Sequence, residues 1–524
     1  MASSLFRGAD REQVAALAEL IYTNPFSGER RRLERVVLGD AYVEPGWTLL
    51  PGQPLHRLEG NLRSLVDRAE AVLEAVRPRA ARLRSVSERD RALYEALVHF
   101  VIFHRLASGF DALIGVGCGL AESVLVGDGG GRGRRSGGAA VLFDRFLQDV
   151  DRYAAVWAVR EAVRGRMEEW FGFYFQVRRA WVHTFAFIHG GSEAIRRLRA
   201  RVWQSVFTHD MRRYVGGLYA RMSDIPTLIT GPSGTGKELV ARAIGLSRFI
   251  PFDARARAFA ADFEANFLPL NLSALSAPLI ESELFGHRRG AFTGALADRD
   301  GYFETCGPYG TVFLDEIGET APEIQVKLLR VLQTRQFNRL GDTAVRLFRG
   351  RVVAATNRDL AAEVRAGRFR EDFFYRLCGD RIETPGLAEV LAGDENELAC
   401  IVAHLAARLV GDAGAAEVTD EVVAWIRRHL GMGYPWPGNF RELEQCVRNI
   451  VVHGHYEPLP EGNGDGGRGG DWLEAARAGQ LSMDGLLHHY CRAVVERAGS
   501  LEGAARRLGV DRRTVRRYLR LSPE

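Results

Sequence analysis

Residues Pro226–Thr230 read as a short apolar strand that runs straight into Gly231-Pro232-Ser233-Gly234-Thr235-Gly236-Lys237-Glu238 and then into the helical LVARAIG. Strand, glycine-rich loop and helix in that order predict a P-loop. Glycines let a backbone wrap a chain of phosphates, and the N-terminus of the next helix favours their negative charge. Lys237 is placed to reach the outer phosphates. It is one of only two lysines, with Lys327, in a chain of 70 basic residues. A lysine in so arginine-rich a chain points to a position that needs a compact ammonium. The next position holds Glu238, where a hydroxyl able to ligate magnesium is usual.

A second apolar strand, Thr311–Leu314, ends in Asp315-Glu316. A carboxylate at a strand edge beside a P-loop can hold a metal ion, and its neighbour can orient and activate a water. Asp315 is thus the candidate metal ligand and Glu316 the candidate base. A third strand, Arg351–Ala355, leads to Thr356-Asn357, where a polar side chain can sense a terminal phosphate. Arg370 and Arg376, in RFREDFFYRL, are either arginine fingers or ordinary surface arginines. The cofactors implied are ATP and Mg2+.

The rest of the 524 residues divide by texture. Residues 1–190 predict a mainly helical domain, with apolar residues three and four apart in Gln13–Tyr22 and Leu62–Val76. Within it, GDGGGRGRRSGG at 127–138 predicts a flexible loop. Residues 191–390 alternate strands and helices, an α/β pattern. Residues 391–456 are helical, 457–472 hold a Gly-rich linker, and 473–524 form a last helical unit. No run reaches the roughly 18–20 uncharged apolar residues of a membrane span, so no membrane partner is expected. Trp170–Ile188 comes nearest and reads as a buried helix, broken by Arg178 and Arg179. The six cysteines are dispersed, and His99, His104, His183 and His189 read as structural, so neither a zinc site nor a disulfide framework is expected. The first residues lack a secretory pattern, and a reducing cytoplasm fits.

Residues 491–524 hold nine arginines against four acidic residues, an electrostatic footprint for nucleic acid. Residues 500–508 form a short helix, Gly509 a turn, and Asp511 caps a second helix over Arg512–Leu521. Val515 and Leu519 face inward, leaving Arg512, Arg513, Thr514, Arg516 and Arg517 outward as candidate contacts to double-stranded DNA.

The string Gly290-Ala291-Phe292-Thr293-Gly294-Ala295, preceded by ESELFGH at 281–287, resembles the AAA+ activators of sigma-54 RNA polymerase. GTVFLDEIGE, VKLLRVLQ, ATNRDL and YPWPGNFREL are similar to the same family, and the Glu after the P-loop lysine is its own variant. The resemblance implies an AAA+ P-loop ATPase, a parallel sheet with a helical lid, ending in a Fis-type helix-turn-helix. It implies that Phe292 and Thr293 touch the sigma factor of the holoenzyme. Asn271 would switch Glu316, Asn357 would be sensor I and Arg441 sensor II. Arg370 and Arg376 would act on a neighbour's ATP, which implies a hexameric ring. The implied function is ATP-dependent transcription activation by a DNA-bound ring.

The chain departs from the family at Pro232, in an insertion around Pro251–Phe267, after Ile382, and in SVFTHDMRRY at 205–214. Residues 1–190 contain no lysine, which argues against a working receiver domain, and their helical pattern argues against a forkhead-associated sandwich. The cluster Trp170, Phe171, Phe173, Tyr174, Phe175, Trp181, Phe185 and Phe187 reads as core, or as the surface packing on the ATPase, more readily than as an effector pocket. Two alternatives stand beside activation: a remodelling ATPase with another client, and a DNA-binding repressor that binds nucleotide without turnover.

Overall fold

Parallel strands without polar alternation need cover on both faces, and the helices of this chain supply it. The computed structural model describes residues 5–6, 11–115 (save 54, 59, 81 and 83–85), 132–153, 165–458 (save 263, 393 and 395), 476 and 482–519. Its strands are β1 (Thr227–Thr230), the hairpin β2 (Phe252–Asp253) and β3 (Ala258–Phe259), β4 (Phe267–Asn271), β5 (Thr311–Asp315), the hairpin β6 (Gln336–Phe337) and β7 (Arg346–Leu347), β8 (Arg351–Thr356) and β9 (Asp380–Glu383). Five of them form one parallel sheet in the order β4-β5-β8-β1-β9. All six residues of β8 are buried, as are the first four of β5. This central order places the ends of β1, β5 and β8 side by side, where the sequence put its phosphate and carboxylate groups.

Helices α1 (Arg11–Leu20), α2 (Gly28–Leu38), α3 (Leu62–Ala80), α4 (Glu88–Ile114), α5 (Arg132–Tyr153), α6 (Met167–Phe187) and α7 (Glu193–Phe207) precede the sheet. Serine side chains cap α2, α4 and α7 through Ser27, Ser87 and Ser192. Crossovers carry α8 (Lys237–Gly245), α9 (Ala277–Phe285), α10 (Pro322–Thr334) and α11 (Glu371–Leu377). A lid follows, made of α12 (Glu397–Val410), α13 (Ala415–His429) and α14 (Asn439–His453).

Two compact units result, Met1–His455 and Tyr456–Glu524. The boundaries expected at 190/191 and 390/391 therefore separate elements inside one unit. The second unit contains α15 (Met483–Ala498), α16 (Leu501–Leu508) and α17 (Arg512–Tyr518), closed around Ala504, Ala505 and Val515. The linker expected at 457–472 lies outside the described residues from 459 onward.

Two expectations are corrected. The glycine-rich loop expected at 127–138 is helical from Arg132, while 127–131 lie outside the described residues. Here packing overrides propensity. A Cβ at Gly138 would press on Leu113 Cδ2 at 2.8 Å, so the glycine lets α5 approach α4. Among the described residues α4 is also long and apolar enough to cross a membrane by length and composition, with a mean hydropathy of 1.4. Its most apolar stretch is 67% buried inside the protein, as a core helix requires.

The aromatic run on α6 divides its faces. Phe171 meets Phe252 at 4.7 Å and Phe175 stacks on Phe259 at 4.2 Å, both on the β2–β3 hairpin, while Phe173 lies 4.8 Å from Phe249. The insertion at 251–267 is thus the surface that receives the aromatic helix. The segments at 205–214 and after Ile382 meet the helical region as well. Tyr214 Oη accepts from Gln176 Nε2 at 2.6 Å, and Glu397 accepts from the Gly191 N–H at 2.8 Å.

Candidate functional site

The P-loop sits between β1 and α8. Gly231, Gly234 and Gly236 take φ of 149°, 77° and 82°, the left-handed region that side chains avoid. A Cβ at Gly231 would collide with Thr384, and one at Gly234 with the Gly438 carbonyl of the lid. The loop is braced from behind. Thr235 Oγ1 donates to the Pro232 carbonyl at 2.8 Å, and the Thr235 and Thr384 hydroxyls lie 2.7 Å apart. From the lid, Asn439 Nδ2 donates to the Ser233 carbonyl at 3.0 Å and the Phe440 N–H to the Gly234 carbonyl at 3.1 Å. Lys237 folds over the loop, with Nζ 3.1 Å from the Gly231 carbonyl and 3.0 Å from that of Pro232. Burial lowers its pKa, and Glu316 and Asp315 oppose that shift.

Asp315 closes β5 in register with Asn271 of β4. Burial raises the Asp315 carboxyl above the usual range, and the neighbouring Glu316 carboxylate adds to the rise. Two carboxylates crowded beside a phosphate cradle form a hard-oxygen donor set that fits Mg2+, which uses one or two carboxylates plus phosphate oxygens. Among the described residues no group of three or more His, Cys, Asp or Glu could hold a metal by itself. Glu316 has φ 54° and ψ 49°, a left-handed conformation stored at the carboxylate. Its Oε2 accepts from the Asn357 N–H at 3.3 Å. The Glu316 carboxylate and the backbone of Asn357 therefore touch.

The remaining expected residues are placed as follows. Asn271 Oδ1 accepts from Ser273 N at 2.9 Å and from its hydroxyl at 2.8 Å, so its hydrogen bonds go to Ser273 and not to Glu316. Glu238 pairs with Arg242 one turn on, at 2.9 Å. Arg441 rises from the lid beside Gly234 and its charge is felt at Lys237. Arg370 pairs with Asp372 at 2.8 Å, and Arg376 donates to the Leu332 carbonyl at 3.0 Å, so both point their bonds at neighbours on α10 and α11. Thr384 and Asn439 had no expected role, yet they hold the loop. Asn439 carries a signal in sequence: an asparagine between Gly438 and a helix suits the left-handed φ of 52° it adopts.

The GAFTGA segment is a closed turn. The Gly290 N–H donates to the Ala295 carbonyl at 2.8 Å and the Ala295 N–H to that of Phe292 at 3.0 Å. Gly290 and Gly294 take φ of 81° and 102°. Phe292 is half-buried, its ring 5.0 Å from and edge-on to His287, while Thr293 is exposed. At the base Lys327, the second lysine, pairs with Glu281 at 2.7 Å.

In the C-terminal unit Asp511 caps α17, accepting from Arg513 N and Thr514 N. The Thr514 hydroxyl also donates to Asp511, at 2.9 Å, and Arg512 pairs with Glu502 at 3.0 Å. Arg513, Arg516 and Arg517 are exposed.

Sheet order, phosphate loop, paired carboxylates and lid together define an AAA+ P-loop ATPase domain. Residues 209–383 match the Sigma-54 interaction domain. The chain is 44% identical over 225 residues to the Nif-specific regulatory protein of Azotobacter vinelandii, covering 43% of this chain and 39% of that one. It is 44% identical over 234 residues to the transcriptional regulatory protein ZraR of Escherichia coli strain K12, covering 44% and 48%. It is 38% identical over 299 residues to ZraR of Salmonella typhimurium, covering 56% and 62%. The chain thus spans less than two thirds of the length of these curated relatives.

Proposed function

We propose that this protein is an ATP-dependent transcription activator, a cytoplasmic hexameric ring that remodels sigma-54 RNA polymerase holoenzyme while bound to upstream double-stranded DNA. The observation that carries the reading is the intact GAFTGA turn, with Thr293 exposed, on a domain that holds the P-loop lysine Lys237 and the paired carboxylates Asp315 and Glu316.

In this reading the backbone of Gly231–Lys237 binds the phosphates, and Lys237 and Arg441 neutralise them. Asp315 would hold Mg2+, which would supply charge neutralisation when bound. Glu316 orients the attacking water and takes its proton. Asn357, whose backbone N–H donates to Glu316, senses the terminal phosphate with its side chain. Arg370 and Arg376 complete the site of the neighbouring subunit, with Arg370 leaving Asp372 to do so. Asn271, one strand away from Asp315, switches Glu316 after Ser273 releases its side chain. Phe292 and Thr293 deliver the motion to the sigma factor. Arg512, Arg513, Thr514, Arg516 and Arg517 face DNA, the arginines mainly for phosphate.

The test is the rate of ATP turnover against protein concentration, read beside transcription from a sigma-54 promoter. Turnover should rise cooperatively with concentration and vanish in Glu316→Gln. Thr293→Ala should keep turnover and lose transcription. Normal transcription by Thr293→Ala overturns the reading.

A further inference from the structure

At the edge of the parallel sheet remote from the P-loop lies a cleft of about 590 Å³. Its walls come from the turn Leu218–Asp224 before β1, the segment after α8, the segment before β5 and the residues around the start of β8. Small-molecule sites commonly occupy about 300–1,000 Å³, so the space is of the size that holds a metabolite.

Its charge is one-sided. Arg221, Arg248, Arg335, Arg349 and Arg351 line the cleft against a single carboxylate, Asp224. That carboxylate is shared between Arg335 at 3.0 Å and Arg221 at 3.9 Å. The remaining bonds go mostly to neutral oxygens, which fix a guanidinium without cancelling its charge. Arg248 donates to the Gly310 carbonyl and the Ser223 hydroxyl, and Arg335 to the Gly350 carbonyl at 3.0 Å and to that of Ser223. Arg351 is buried, donates to Ser205 and to the Thr227 hydroxyl, and has Asp380 4.0 Å away, so it adds charge to the floor and no contact. The other four reach the space. Arg221 and Arg349 are exposed, Arg248 is half-buried and the Arg335 side chain is 20% exposed. Arg349 has no hydrogen bond or ion pair among the described residues. Burial lowers the Arg248 pKa to about 10, and the charges of Arg351 and Arg335 push the same way. Three partly exposed rings, Tyr219, Phe249 and Tyr309, complete the wall.

We propose that this cleft binds a small phosphorylated molecule with a flat ring, its phosphate among Arg248, Arg335 and Arg349 and its ring against Tyr219, Phe249 and Tyr309. A guanidinium carries five N–H donors in a planar fork that matches phosphate oxygens. Arg248 spends two of its own on the protein. A dianion offsets cations that otherwise repel one another in a partly dry space, where charges interact more strongly than in water. The nine residues of α8, roughly 13 Å of helix, separate the cleft from the phosphate loop. The two sites therefore stand or fall separately.

Phenyl phosphate, inorganic phosphate and phenol separate the two contributions. Each is titrated by calorimetry into the full chain in excess Mg·ADP, which occupies the P-loop's own affinity for phosphate. Phenyl phosphate should bind one to one, severalfold more tightly than phosphate, with phenol too weak to register. Arg349→Ala, at an exposed position, should weaken phenyl phosphate about tenfold and leave ADP affinity unchanged. Tyr309→Ala should bring phenyl phosphate to the level of phosphate and leave phosphate unchanged. Phenyl phosphate that does not bind, that binds no more tightly than phosphate, or that binds undiminished to Arg349→Ala overturns the proposal. One-to-one binding of phenyl phosphate, lost in Arg349→Ala, by a chain that takes up no ADP would support this site and count against the nucleotide site.

Discussion

Arg179 of α6 donates to the carbonyl of Leu246 at 2.9 Å, just past the last turn of the helix that Lys237 opens. The same guanidinium reaches the Arg248 carbonyl at 2.5 Å, and Gln176 reaches that of Ser247 at 3.0 Å. A helix leaves its last carbonyls without partners, and here another part of the chain satisfies them. Arg179→Met should strand two buried carbonyls at about 1–3 kcal/mol each. The expected result is a clearly lower thermal midpoint for the full chain, and a chain started at residue 191 should be poorly soluble. An unchanged midpoint in Arg179→Met would show that the contact does not support the ATPase core.

Gly234 and Gly236 both have left-handed φ, but their surroundings differ. An alanine at 234 meets Gly438 and lies 3.2 Å from Arg441 Cβ, whereas at 236 the nearest neighbour is Leu239 at 3.8 Å. The backbone penalty of roughly 1–2 kcal/mol is common to both. Gly234→Ala should therefore weaken binding of a fluorescent ATP analogue by tenfold or more, and more than Gly236→Ala does. The reverse order would remove the lid from the account of the site.

Among the described residues five histidines are held neutral by burial: His99 and His183 at about 3, and His104, His189 and His404 lowered in direction. His189 stacks on His404 at 4.0 Å, and after burial the charge on His404 further opposes protonation of His189. Their folded pKa values lie below the unfolded value near 6.5. The stability they contribute is full above that pH and is lost as pH falls through 6.5 toward the folded values. Each group that gains a proton on unfolding adds about 1.4 kcal/mol per pH unit to the loss. Urea midpoints should fall steeply between pH 7 and 5.5. A flat profile would mean that these rings are charged in the fold.

Arg513, Arg516 and Arg517 line the exposed side of α17, whereas Thr514 spends its hydroxyl on the cap. An arginine on phosphate releases counterions, so Arg517→Ala should flatten the salt dependence of DNA binding by about one unit of slope. Thr514→Ala should cost helix stability and leave that slope alone. Retention measured over a salt series distinguishes them, and an unchanged slope in Arg517→Ala would place that arginine off the backbone.

The groups that were legible in sequence are those whose chemistry is local. Gly231 to Lys237 are consecutive, and Asp315 and Asn357 each end an apolar strand, so their positions follow from strand direction alone. The mainly helical N-terminal region was legible from spacing. What escaped is held by contacts distant in the chain. Gly138 reads as loop until Leu113 is seen against it, and the apolar length of α4 escaped the search for long apolar runs. Thr384 and Asn439 gain meaning only when the lid meets the P-loop. The aromatic run was expected to be core or packing surface, and Phe171 and Phe175 are that. Trp170, Phe173, Tyr174 and Trp181 also border an open space, which periodicity does not encode.

The hairpin at β2–β3 and the aromatic face of α6 have a consequence for exchange between regulators. Phe252 and Phe259 on one side and Phe171 and Phe175 on the other fit each other and would be greasy surface if parted. A foreign sensor joined at residue 190 would face a hairpin shaped for α6, and this helical region carried elsewhere would miss it. The two must be inherited together. The junction at which parts can change hands is 455/456, where one compact unit ends and the next begins.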